Sequence, residues 1–139
     1  MPFTITKLAA LPVIVVMPAG AGIMQELPEI DRRLTRLLNA QPEPVFVIAD
    51  LRRISLNLDD VMRAGNSAAR SMPSILYHLN IRETLVVTTE PIVRLAAQGI
   101  DGSMFGGLSM RVFTTPEAAL EYCRGELKIE ASLPRRQTG

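Results

Sequence analysis

The chain of 139 residues has the length of one domain and can bury about two-thirds of its unfolded surface, so it needs no disulfide or metal staple. Apolar residues make up 47% and charged residues 21%, which excludes a disordered chain, while aromatics are only 4% with no Trp, so the core must be aliphatic. Fifteen basic residues against fourteen acidic ones leave a formal charge of +1, too weak a field to gather nucleic acid or an anionic membrane.

Phe3 to Leu8 alternates as an edge strand does. Lys7 then precedes an apolar run, Leu8 to Met17, and Ala19-Gly20-Ala21 imitates the cleavage site of a secretory leader. Pro12 inside that run and the alternation before it favour sheet, with Pro12 to Met17 as a strand covered on both faces. Pro28 fits the first turn of a helix whose apolar face is Leu27, Ile30, Leu34, Leu37 and Leu38. Gln41-Pro42-Glu43-Pro44 stops it, and Val45 to Ala49 is a buried strand closed by Asp50. Asn57 is an N-cap for a helix from Leu58, with Asp59 and Asp60 in its first turn.

The stretch Ser74 to Arg82 reads as a short helical turn before strand Thr84 to Thr88. Pro91 opens a further helix containing Ile92, Val93, Leu95 and Ala96, and Gly99 to Gly107 is a Gly-rich loop. Leu108 to Phe113 is the last strand, and Thr115-Pro116-Glu117 starts the last helix. The order β-β-α-β-α-β-α-β-α predicts a single α/β domain with four to five mostly parallel strands and about four helices. Helical periodicity fades after Gly125, so the expected domain is 1–126, with 127–139 a loose tail.

Little catalytic chemistry is on offer. Cys123 is the single thiol and cannot form an internal disulfide, which makes a reducing cytoplasm the expected setting. His78 is the single histidine, with no G-x-S-x-G elbow to accompany it, and reads as structural. Zinc needs about four N or S ligands, so neither a metal nor a cofactor is expected. Gly20-Ala21-Gly22 fails the dinucleotide fingerprint, because Gln25 stands where its third Gly belongs. Asp50, Asp59 and Asp60 share the rim where ligands bind in open α/β sheets and could hold Mg²⁺. However, helix capping and local hydrogen bonds account for the same acids.

The element order, together with Asp50-Leu51-Arg52 after an aliphatic strand, resembles the STAS domain, the family of anti-sigma factor antagonists, whose signature there is D-L-S. Met110-Arg111-Val112-Phe113-Thr114-Thr115-Pro116-Glu117-Ala118-Ala119-Leu120 is similar to the ending of its stand-alone STAS-like/SEC14-like group. The match spans about residues 3 to 125. The family's phosphorylatable Ser or Thr at the start of the second helix falls on Asp59, which carries a permanent charge instead.

The resemblance implies a non-catalytic module that binds a protein partner, of the anti-sigma kinase type, in the cytoplasm. The expected partner rim is Asp50, Arg52, Arg53, Asn57, Asp59, Asp60 and Arg63, with homodimerisation through small-residue helix faces. An alternative is a carrier of a small apolar or lipid-like ligand, lined by Met62, Met72, Met104, Phe105 and Met110. A third is a Mg²⁺-dependent enzyme using the Asp50/Asp59/Asp60 rim.

Overall fold

The computed structural model describes residues 3–20, 23–54, 59, 78–95 and 110–132. Strands β1 (Phe3–Lys7) and β2 (Val13–Pro18) are followed by helix α1 (Ile23–Asn39), strands β3 (Val45–Asp50), β4 (Ile81–Val87) and β5 (Met110–Phe113), and helix α2 (Pro116–Ser132). A helical turn at 91–95 lies between β4 and β5. The sheet has the order β1-β2-β3-β4-β5, with β1 antiparallel to β2 and the other pairs parallel.

A monotonic run of parallel strands joined by right-handed crossovers places the crossover helices on one face. Accordingly, Ile30, Leu34 and Leu38 of α1 pack on Ile14, Val16, Val45 and Val47, and Val93 of the turn packs on Val86 and Met110. Among the described residues, α2 is the helix that packs on the opposite face, with Leu8 and Leu11 beside it. Ala119 and Cys123 cover that face, against Val13, Phe46, Ile48, Leu85 and Val87. Burial of both faces explains why β2, β3 and the end of β4 from Leu85 read as nearly unbroken apolar runs.

The leader-like segment is sheet, as its alternation predicts. Lys7 Nζ donates to the carbonyls of Leu8 (2.7 Å) and Leu11 (2.9 Å), closing the β1–β2 connection. At the far end of α1, Asn80 Nδ2 donates to the carbonyls of Leu38 (2.7 Å) and Gln41 (3.3 Å). Asn80 N donates to His78 Nδ1 (3.0 Å), so His78 Nε2 carries the proton and donates to Asn39 Oδ1 (2.7 Å). Asn80 thus adds donors at the end of α1, where Leu38 O also accepts from Gln41 N (3.1 Å), and His78 bonds the side chain of its last residue.

Three boundaries differ from expectation. Helix α1 starts at Ile23, so Pro28 is in its second turn and only one early intrahelical bond lacks its donor. Strand β4 starts at Ile81, because a register shift opposite Val45/Phe46 accommodates Arg82 and brings Glu83 opposite Phe46. Helix α2 continues through Gly125 to Ser132, with Leu127 packed against the core, so residues 127–132 are helical. Its N-cap is Thr115, whose Oγ1 accepts from Ala118 N (3.1 Å), with Pro116 as the first helical residue. The helix expected from Leu58 lies outside the described residues except for Asp59, which is helical and exposed. The Gly-rich loop 99–107 and the segment 133–139 also lie outside them.

Candidate functional site

The carboxyl ends of the parallel strands form one rim, where side chains and loops converge. Gly20, beyond β2, adopts φ +85°, a left-handed conformation that only Gly takes without strain. This lets Gly20 N donate to Arg53 O (3.0 Å) and pair with Ile54, tying the end of β2 to the loop after β3. On the other side, Leu51 N donates to Val87 O (2.8 Å) and Thr88 N to Phe113 O (2.9 Å). Thr88 is buried, and its Oγ1 accepts from Glu90 N (3.1 Å) to start the turn at 91–95.

Asp50 ends β3 with its side chain on the α2 face and is only 1% exposed. Arg52 Nε donates to Oδ1 (2.9 Å) and Nη2 to Oδ2 (2.8 Å), a bidentate pair, and the Arg52 amide adds a third bond to Oδ1 (3.2 Å). Burial pushes the Asp50 carboxyl up. The hydrogen bonds from the Arg52 side chain and amide outweigh it, helped by the charges of Arg52 and Arg53, and hold the group below its ordinary value. Both oxygens are therefore committed within the chain. Arg52 also feels Glu117 in the first turn of α2, so the pair sits between the rim and that helix.

Of the expected rim, the structure brings Asp50, Arg52 and Arg53 together, with Arg52 and Arg53 exposed beside the buried Asp50. Asp59 is exposed. Asn57, Asp60 and Arg63 lie outside the described residues, as do Met62, Met72, Met104 and Phe105 of the expected apolar pocket. Met110 is core, packed with Val86 and Val93.

A second polar cluster escapes sequence reasoning. Glu83 in β4, 9% exposed, accepts from Arg111 Nε (2.8 Å) and from Tyr122 O–H (2.6 Å), while the Arg111 guanidinium stands 4.8 Å from the Tyr122 ring centre. Burial, then the bond to Glu83, pushes the Tyr122 phenol up to about 12. Burial and the Glu83 charge raise the Cys123 thiol to about 11, which leaves it a poor nucleophile. The signal in the sequence is a charged residue inside a buried strand, Glu83, with a cation in the neighbouring strand.

A mixed five-stranded sheet with helices on both faces, its polar rim at the carboxyl ends of the parallel strands, defines an α/β protein. It has the SpoIIAA-like fold, that of STAS domains. An uncharacterised protein of the DUF3478 family from Shewanella loihica PV-4, described as having that fold, superimposes with a TM-score of 0.51 at 11% identity, over 87% of this chain and 91% of the other. No family model matches the sequence, and no curated protein matches it. Among the described residues, no helix is long and apolar enough to cross a membrane.

Proposed function

We propose that the protein is a non-catalytic binding module whose rim at the carboxyl ends of β2 to β5 engages a protein partner. The observation that carries this reading is the state of Asp50. Its two oxygens are filled by Arg52, so using the carboxylate as a base or a Mg²⁺ ligand would mean breaking a bidentate ion pair between a buried Asp50 and an exposed Arg52. Among the described residues, the exposed charges near the rim include Arg53 and Asp59, which are of opposite sign. Such charges set partner choice and association rate more than they set chemistry.

Asp59 stands where the STAS-like pattern has a phosphorylatable hydroxyl, so its negative charge is constant and does not depend on a kinase. A partner of the anti-sigma kinase class, acting in the cytoplasm, fits this reading. The test is affinity capture with the wild type, with the rim variants Arg53→Glu and Asp59→Lys, and with Arg124→Glu on the far helix surface as a control. A partner retained by the wild type and the control but lost by both rim variants supports the proposal. Equal capture by all four proteins, or a Mg²⁺-induced rise in thermal stability abolished by Asp50→Asn, rejects it.

A further inference from the structure

Away from the rim, β1 is the edge of the sheet among the described residues, and a groove of about 630 Å³ runs between it and α1. Residues 3–6 line one side consecutively. Consecutive strand residues alternate between faces, so what they jointly present to the groove is the backbone edge itself. The other wall is Arg33, Arg36, Leu37 and Ala40 of α1.

Edge strands are ordinarily guarded by charged side chains, Pro or bulges. Residues 3–6 contain none of these, and the following Lys7 is tied back onto the carbonyls of Leu8 and Leu11. The helix wall is cationic. Arg33 is anchored by its Nε on Glu29 (2.8 Å) and stacks 5.4 Å from the Phe3 ring centre, which fixes its guanidinium at the groove. Arg36, one turn on and exposed, forms no ion pair among the described residues.

We infer that this groove is a second docking site, which takes an extended acidic peptide segment of a partner protein as an added strand beside β1. A strand about 4.8 Å from β1 gains main-chain hydrogen bonds and points alternate side chains toward α1. The carboxylates of such a strand point over Phe3, Ile5 and Leu37 to Arg33 and Arg36, and the intervening apolar side chains lie on the opposite face, the side of Thr4 and Thr6. Charge sets the choice of occupant. A second copy pairing antiparallel at this edge would bring its own α1 to the same side of the joined sheet, with Arg33 and Arg36 facing their equals. The chain's own segment 133–139 carries Arg135 and Arg136 and has the wrong sign as well.

The experiment uses the full chain, ¹⁵N-labelled, and three synthetic hexapeptides: alternating Val-Glu, alternating Val-Lys, and the Val-Glu peptide N-methylated at every second residue. The Val-Glu peptide is expected to bind in the millimolar range or tighter and to shift the amide signals of residues 3–6 and 33–40. The other two are expected to leave them unchanged, and Arg36→Glu is expected to weaken binding about tenfold. The Arg53→Glu rim variant is expected to bind as the wild type does, which separates this site from the rim. Binding of the N-methylated peptide with equal strength would mean charge attraction without strand addition and would overturn the proposal. So would shifts confined to other residues, no shifts at millimolar peptide, or a concentration-dependent dimer sealing the β1 edge.

Discussion

Replacing Tyr122 by Phe removes one oxygen and keeps the ring, which packs edge-on to Phe46 (centroids 6.2 Å apart) and tilted against Phe113 (5.6 Å). What is lost is a 2.6 Å bond to a carboxylate that keeps Arg111 as its other partner. The phenol is raised from 10.0 to about 12. Burial is the larger cause of that rise and the bond to Glu83 the next, so the bond's share lies below the roughly 2.7 kcal/mol that about 1.4 kcal/mol per pH unit gives for the whole. The site is only partly screened from water, which brings the expected loss to about 1–2 kcal/mol, the range for hydrogen bonds to charged groups. Because the folded state holds the phenol neutral, this stabilisation is complete below about pH 10 and disappears as pH rises toward about 12. Cys123, raised to about 11, titrates in the same window in both proteins and cancels in the difference. Urea unfolding followed by far-ultraviolet circular dichroism should show a wild-type advantage that is level from pH 7 to 9 and shrinks above pH 10. Equal stabilities at pH 7, or an advantage that persists unchanged above pH 11, would refute the role given to this bond.

Asp50→Asn should lower stability at pH 7 by about 1–3 kcal/mol. The native carboxyl lies below its unfolded value of 3.8, so its stabilisation is present above that pH and is lost as pH falls through the native value. The variant should consequently lose less stability on acidification than the wild type, and an acid titration with parallel slopes would contradict this. Leu38→Ala, at a fully buried contact of α1 with the sheet, should cost about 2–5 kcal/mol in chemical denaturation. Gly125→Ala should raise stability by about 0.5–1 kcal/mol, since a methyl there meets nothing within 4 Å and Gly weakens a helix interior. A thermal melt showing a loss would count against the open environment assigned to Gly125. The Cys123 thiol should react with a disulfide reagent at pH 8 only as fast as the chain opens, whereas immediate stoichiometric labelling would be incompatible with its burial.

The aliphatic strands were legible because both sheet faces are covered, and runs such as Val45 to Ile48 have no other stable use. Where sequence reasoning slipped, longer-range packing overrode a local cue. Pro28 fits a helix start locally, but a proline in the second turn removes so few hydrogen bonds that the helix extends a turn before it. Gly125 and the charges after it looked like the end of α2, yet Leu127 and the Arg82–Glu130 ion pair (2.6 Å) hold that turn against the sheet. At the rim, the strand-end position of Asp50 was readable from pattern alone. That Arg52 would fold back onto it was not, because a bidentate contact between residues i and i+2 depends on the chain leaving the strand at once. The Glu83 cluster spans three elements and leaves no spacing in the chain to detect.

The register shift beside Val45/Phe46 also fixes the phase of α2. Because of it, the adjacent residues Arg82 and Glu83 both grip that helix, at Glu130 and Tyr122, eight residues apart and about 12 Å along the axis. One residue inserted between these points would rotate Glu130 by about 100° away from Arg82. Four inserted residues would nearly restore the angle but carry Glu130 about 6 Å too far. Among homologous chains, length should thus vary beyond residue 132 and stay constant between 122 and 130, a numerical constraint on insertions and deletions that two side-chain contacts impose.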